Sequence, residues 1–184
     1  RDGSGQPWLA GQDVRLALSL NDTGALQSVS AEPGRIALPG TGLRWTTAQY
    51  QARPGQRLPQ IAVQAQIEPF ALAPLLARAQ PELGWQGDLT LAGDIQINSG
   101  ERFDADLVFE RRSGDLSVAD DVRDPSGHIQ PLGLTDLRLG LSAHDGQWAF
   151  TQALAGKQLG EMAGVASVHA RADQTWPSAQ APLD

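Results

Sequence analysis

The chain of 184 residues contains no cysteine, few aromatic residues and no long apolar run. The absence of cysteine excludes a disulfide framework and zinc sites built from thiolates. No stretch of about eighteen apolar residues occurs, so we expect no segment to cross a bilayer as a helix. The sequence also begins without an initiator methionine or a signal peptide, and we therefore expect it to be a segment of a longer chain.

Positive charge is scarce as well. The chain has 14 Lys and Arg residues against 21 Asp and Glu residues, which gives a net charge of −7. Nucleic acids and anionic membrane surfaces are bound by clusters of Lys and Arg, and the sequence has no such cluster. The composition therefore predicts that nucleic acid is not a partner.

The sequence is rich in segments with strict alternation of apolar and polar residues. The pattern recurs in "DVRLALSL" (13–20), "IAVQAQI" (61–67), "GWQGDLTLAGDIQI" (84–97), "FDADLVF" (103–109), "LTDLRLGLSA" (134–143) and "QWAF" (147–150). Alternation of this kind is typical of half-buried antiparallel strands. Turn sequences such as "NDTG", "RPGQ" and "HDGQ" separate the runs. The sequence therefore predicts an all-β protein with a mostly antiparallel sheet.

One segment has a different spacing. In "EPFALAPLLARAQPELGW" (68–85) the apolar residues are Phe70, Leu72, Leu75, Leu76 and Ala79, which is closer to a helical period. Proline is tolerated only in the first turn of a helix, so Pro74 limits the helix to about residues 74–80. We expect this short helix to cap one end or edge of the sheet. The single segment 1–184 is thus predicted to have strands in 1–68, the helix and a connector in 69–83, and strands in 84–184.

Three glycines, Gly156, Gly160 and Gly164, have the GxxxGxxxG spacing of a membrane-helix dimer. Lys157 and Glu161 lie inside the motif, and no apolar helix surrounds it. We interpret these glycines as kinks in a curved strand.

The histidines and acidic loops do not form a recognisable metal site. The three histidines are scattered and include no pair with ligand spacing: His128, His144 and His169. The loop "DDVRDPSGH" (120–128) loosely resembles a calcium loop, but its carboxylates miss the 1, 3, 5 spacing and no Glu follows at position 12. The sequence predicts no metal ion.

The sequence also lacks a recognisable catalytic motif. "GLSAH" (140–144) begins like a nucleophile elbow but has His144 where Gly is required. Asp104 and Asp106 share the polar side of a strand and are interpreted as solubilising residues rather than as a catalytic pair. No glycine-rich phosphate loop occurs. We predict that the protein is not an enzyme and has no cofactor.

The apolar side of these strands has two interpretations. On periodicity alone, a closed sandwich core is the ordinary expectation. Aromatic residues are only 5% of the chain, however, so the apolar side consists of Leu, Ile, Val and Ala. These side chains conform to disordered acyl chains as readily as to a core, and the residues alone leave both interpretations open.

Four blocks of the sequence resemble the C-terminal region of the TamB family, the AsmA-like translocation and assembly module proteins of Gram-negative bacteria. The blocks are "GWxGDL" at Trp85, Gly87, Asp88 and Leu89, "GDLxV" at Gly114–Val118, "LGLTDLRL" at Leu132–Leu139 and "LAGKxLGEMAG" at Leu154–Gly164. The resemblance covers most of residues 43–184 and is weaker over 1–42.

This resemblance implies a long, curved, mostly antiparallel sheet that forms an open apolar trough, the β-taco. It also implies a periplasmic protein whose full-length chain is anchored in the inner membrane and engages the outer-membrane barrel TamA. Members of the family act in outer-membrane protein assembly and in phospholipid movement between the two membranes. The residues expected to line the trough are Leu16, Leu18, Ile61, Val63, Leu89, Leu91, Ile95, Leu107, Phe109, Leu137, Leu139, Trp148 and Phe150.

Three functions are candidates for this chain. The first is a hydrophobic groove or conduit for phospholipid acyl chains, which gain about 0.8 kcal/mol for each methylene removed from water. The second is a chaperone-like trough that accepts unfolded outer-membrane strands at its sheet edges. The third is a closed structural sandwich that only spaces other domains.

Overall fold

The computed structural model describes residues 10–11, 14–119 and 129–170. Within these residues the chain forms fourteen β-strands, one α-helix and one 3-10 helix. The strands are β1 Ala10–Gly11, β2 Leu16–Leu20, β3 Leu26–Ala31, β4 Gly34–Leu38, β5 Thr41–Gln51, β6 Gln60–Ala71, β7 Gln86–Gly87, β8 Thr90–Ser99, β9 Phe103–Ser113, β10 Leu116–Ala119, β11 Ile129–Pro131, β12 Leu134–His144, β13 Gln147–Gly156 and β14 Gly160–His169. The helix α1 is Ala73–Ala79, and the 3-10 helix is Pro81–Leu83.

Eleven strands form one large antiparallel sheet. Its main path runs β1-β4-β5-β6-β8-β9-β12-β13-β14, and β2 joins it through β3, which pairs with the second half of β5. Within the described part of the chain, this sheet does not close on itself. Of the described residues, 68% lie in strands, with one short helix, which confirms the all-β prediction.

The helix lies one residue earlier than the sequence indicates, and the strand before it is longer. Pro74 occupies the first turn of α1, as its missing N–H requires. Strand β6 continues to Ala71, three residues beyond the predicted end of the first strand block. The pairing of β6 with β8 is irregular between Ile67 and Phe70. Pro69 lies in this break, where its missing N–H costs no inter-strand hydrogen bond.

A small structure that we call the cap packs on one end of the large sheet. The cap consists of α1, the 3-10 helix and a second sheet with the order β11-β10-β7. Its apolar residues Ala73, Leu89 and Leu116 join Leu91 and Leu134 of the large sheet in one buried cluster. The fold thus has a compact core at one end of the long strands.

Two Gly-Asp-Leu sequences hold the cap together by pairing with each other. The backbone N–H groups of Asp88 and Leu89 donate to the carbonyl oxygen of Asp115 at 3.1 and 3.0 Å. In return, the N–H of Asp115 donates to Oδ1 of Asp88 at 2.9 Å. Gly87 and Gly114 have φ of 121° and 79°, and a Cβ on either would collide with the backbone of the opposite segment. Glycine is therefore required at both positions.

The Asp115 carboxylate also fixes the start of β12. Its two oxygens accept the backbone N–H groups of Leu116, Gly133 and Leu134 at 2.8 to 2.9 Å. Partial burial opposes ionisation, but these three donors and the nearby Arg111 outweigh it and hold the pKa of Asp115 below its ordinary value. Two of the blocks that carry the family resemblance therefore meet at the Asp115 carboxylate, and a third pairs with the Asp115 backbone.

The glycine-rich block at 156–160 forms a turn. Gly156 pairs with Gly160 at the end of the β13–β14 hairpin, and Gly160 has a φ of 73°. Gly156 ends β13 and Gly160 begins β14, so only Gly164 lies in the interior of a strand, and β14 pairs with β13 without a register shift. The prediction of glycine kinks in a curved strand is therefore wrong at Gly156 and Gly160, which close a hairpin.

We expect Asp115→Ala to destabilise the protein by about 2–3 kcal/mol, because three backbone donors lose a charged acceptor. Urea unfolding measures this loss, with Asp136→Ala as a control at an exposed carboxylate of β12. Because the pKa of Asp115 is lowered by folding, its contribution is complete above the ordinary pKa of 3.8 and is lost as the pH falls through the lower folded-state pKa. Equal destabilisation by the two variants would contradict the assigned role of Asp115.

Candidate functional site

The main feature of the large sheet is an apolar row that crosses nine strands without a break. Residues that are paired across neighbouring strands project from the same side of a sheet, so the register defines this row directly. Its members are Leu16, Ala31, Ala48, Val63, Ile97, Ala105, Ala143, Trp148 and Val168. The row runs at right angles to the strands, from β2 to β14.

A second apolar row lies beside the first and crosses seven strands. Its members are Trp45, Ala65, Ile95, Leu107, Leu141, Phe150 and Ala166. We call the two rows together the apolar strip. Eight inter-strand steps of about 4.8 Å make the strip roughly 38 Å long.

Most of the predicted trough residues lie on this side of the sheet. Leu16, Val63 and Trp148 belong to the first row, and Ile95, Leu107 and Phe150 belong to the second. Four others flank the strip on the same side: Leu18, Ile61, Phe109 and Leu139. The register therefore brings together ten of the thirteen predicted residues.

The remaining three predicted residues lie under the cap. Leu89 and Leu91 are 0% and 2% exposed, and Leu137 packs against the same cluster. Leu89 precedes β8 and belongs to the cap rather than to the large sheet. Leu89 and Leu91 belong to the closed core and contribute no accessible lining to a groove, whereas Leu137, like Phe109, is half-buried beside that core.

The strip also contains residues that the sequence patterns did not single out. Leu141 and Ile97 continue the alternation of the predicted residues Leu139 and Ile95. Trp45 and Ala48 could not be predicted from alternation, for a physical reason. A register irregularity between Trp45 and Thr47 breaks the period of two in β5 and returns Ala48 to the apolar side.

Exposure along this side of the sheet is greatest near its two lateral edges. At one edge Leu16, Leu18 and Leu20 are 58 to 64% exposed. At the other, Phe150 and Met162 are 45% and 55% exposed. In the middle of the strip most members are half-buried and three are buried: Trp45, Ala65 and Ala143. A contiguous patch of exposed apolar groups, unlike single exposed residues, marks an interaction surface.

The opposite side of the large sheet is polar. Gln64, Gln66, Asp94 and Gln96 lie there on neighbouring strands, and Gln66 donates to Asp94 at 3.0 Å. A cavity of about 360 Å³ lies against these residues and is bordered by Arg44. The two sides of the sheet thus differ sharply in character.

His144 lies on the polar side between two carboxylates. Its Nε2 is 3.0 Å from Oδ1 of Asp106, and its Nδ1 is 3.2 Å from Oδ1 of Asp104. A neutral imidazole has only one N–H, so the protonated form alone satisfies both carboxylates. The hydrogen bonds to Asp106 and Asp104 raise the pKa of His144 above its ordinary value. The acidic pair therefore binds a histidine from the next strand.

Among the described residues, no group of three or more histidine, aspartate or glutamate side chains is arranged to hold a metal ion. The acidic loop at residues 120–128, with Asp120, Asp121 and Asp124, lies outside the described residues, as does His128. The described segments also contain no helix that is both long enough and apolar enough to span a membrane.

We expect the stabilising effect of His144 to depend on pH. Because folding raises its pKa, its contribution is complete below the ordinary value of 6.5 and is lost as the pH rises through the higher folded-state pKa. Urea unfolding between about pH 5 and pH 9 should therefore show wild type losing its advantage over His144→Gln as the pH increases. His169→Gln is the control. An advantage of wild type that is independent of pH would contradict the bridging role of His144.

Comparisons of the chain with models of protein families, with curated proteins and with solved structures find no match.

Proposed function

We propose that the apolar strip binds phospholipid acyl chains, and that the chain is a groove segment of a TamB-like protein that acts in outer-membrane biogenesis. The observation that carries the proposal is the unbroken apolar row across nine strands. A hydrocarbon chain requires continuous apolar contact, because each methylene left in water forfeits about 0.8 kcal/mol. The strip offers such contact over roughly 38 Å, at about 4.8 Å for each strand crossed.

The direction of the strip suits the passage or the binding of an extended acyl chain. It crosses the sheet at right angles to the strands, so an acyl chain can lie along it without meeting the cap, which covers only one end of the strands. The residues that continue this side at both lateral edges, such as Leu18 and Met162, are also exposed.

The rest of the proposal follows from the sequence resemblance. In a TamB-like protein the segment would work in the periplasm of a Gram-negative bacterium, with the full-length chain anchored in the inner membrane and reaching TamA at the outer membrane. The proposed role is non-catalytic and uses no cofactor or metal. Two alternatives use different parts of the structure. An unfolded outer-membrane strand would bind at a sheet edge, whereas a closed spacer would leave no accessible strip.

The direct test is a pair of charge substitutions in the strip with a matched control. Leu141 and Phe150 are paired across β12 and β13 and are both exposed. Leu141→Arg and Phe150→Arg should each leave the melting temperature near that of wild type, because the arginine head can reach water. Each should weaken binding of a diacyl phosphatidylethanolamine at least about tenfold, which corresponds to about 1.4 kcal/mol. Native mass spectrometry of the purified chain with this lipid provides the measurement.

Thr151→Arg is the control, because Thr151 follows Phe150 on β13 and projects from the polar side. It should change neither stability nor lipid binding. If the strip were a closed core, the buried arginines would cost several kcal/mol and unfold the protein. Unfolding of both strip variants, or lipid binding unchanged in both, would refute the proposal.

A further inference from the structure

Strand β14 forms one lateral edge of the large sheet in the part of the chain that the structure describes. It pairs with β13 over Gly160–His169 without a register shift, and within the described residues no strand pairs with its other side. Proteins commonly protect such edges with proline, lysine or a bulge. Strand β14 has none of these features. A long, regular edge of this kind is a ready site for pairing with another strand.

The direction of the backbone groups on β14 can be assigned. The N–H of Ala170, directly after the strand, donates to the carbonyl oxygen of Gly146 at 2.8 Å. Backbone groups alternate in direction along a strand, so the even-numbered residues of β14 point toward β13. The odd-numbered residues from Glu161 to His169 therefore present their N–H and C=O groups at the open edge.

The sequence of β14 is complementary to itself in the antiparallel direction. With Val165 placed opposite the partner's Val165, Glu161 faces the partner's His169, so a carboxylate meets an imidazole N–H donor. All of these are odd-numbered residues and project from the polar side. Val165 is 70% exposed, the largest exposed fraction among the large apolar residues that the structure describes. Pairing would bring the two valines together.

We propose that two copies of this chain associate through antiparallel pairing of β14 with the partner's β14, about a two-fold axis at Val165. Five opposed pairs of odd-numbered residues then exchange backbone hydrogen bonds. Because a two-fold axis perpendicular to the sheet keeps corresponding sides together, Met162 faces the partner's Val168 on the apolar side. The apolar strips of the two copies then join. This association does not require that the strip bind lipid.

The association should depend on protein concentration. A single pair of strands buries less surface than the roughly 1,200 Å² at the lower limit of stable complexes. We therefore expect a reversible dimer that analytical ultracentrifugation detects as the concentration rises. Val165→Lys should raise the dissociation constant at least about tenfold, since two like charges would lie directly opposite each other. Thr151→Lys is the control, because Thr151 is the neighbour of Val165 on β13 and projects from the same side.

A disulfide tests the symmetry of the pairing. The chain contains no cysteine, so Val165→Cys supplies a single thiol. Residues opposed in a hydrogen-bonded antiparallel pair have Cα atoms about 5.5 Å apart, which suits a disulfide. Val165→Cys should form a covalent dimer on oxidation, and Thr151→Cys should not.

A chain that stays monomeric at all concentrations up to about 1 mM, far above the range of specific affinities, would overturn the proposal. A dimer weakened equally by Val165→Lys and Thr151→Lys would also overturn it, because the copies would then meet through another surface. So would failure of Val165→Cys to crosslink in a protein that dimerises.

Discussion

The register of the large sheet is the constraint on which the rest of the structure depends. Side chains alternate between the two sides of a strand, so a slip of one residue in any strand would turn its apolar residues to the polar side. Nine neighbouring strands nevertheless place Leu16, Val63, Trp148 and their partners in one row. Where the period of two fails, as at Trp45 and Thr47, an irregularity restores the apolar side. Both the strip and its proposed use follow from this continuous register.

The Asp115 carboxylate limits the strip on one side. It binds the start of β12, while the backbone of Asp115 pairs with the other Gly-Asp-Leu segment, and together these bonds hold the cap over one end of the long strands. The cap converts that end of the apolar side into an ordinary core, in which Leu89 and Leu91 are buried. Beyond the cap, apart from three buried members of the strip, the apolar residues are half-buried or exposed. The chain thus combines a conventional buried core, which stabilises the fold, with an apolar surface that does not belong to that core.

The strands and the helix could be predicted from the sequence because both depend on local periodicity. Alternation identified the strands that contain Ile61, Ile95 and Leu107, and Pro74 placed the start of the helix. The burial of Leu89 and Leu91 could not be predicted, because the residues that cover them, such as Ala73 and Leu116, are distant in the sequence. The histidine bridge to Asp104 and Asp106 was missed for the same reason, since His144 lies on another strand some forty positions away. Alternation identifies the apolar side of a strand but does not show what packs against it.

The central claim is that acyl chains contact one side of the sheet along the strip. Photocrosslinking along β6 tests it most directly, with a benzophenone amino acid placed at each position from Gln60 to Gln64 in turn and a radiolabelled diacyl phospholipid as the probe. We predict a period of two, with lipid crosslinked from Ile61 and Val63 and not from Gln60, Ala62 or Gln64, because these two sets project from opposite sides. Crosslinking without alternation, or no crosslinking from any position on β6, would contradict the account.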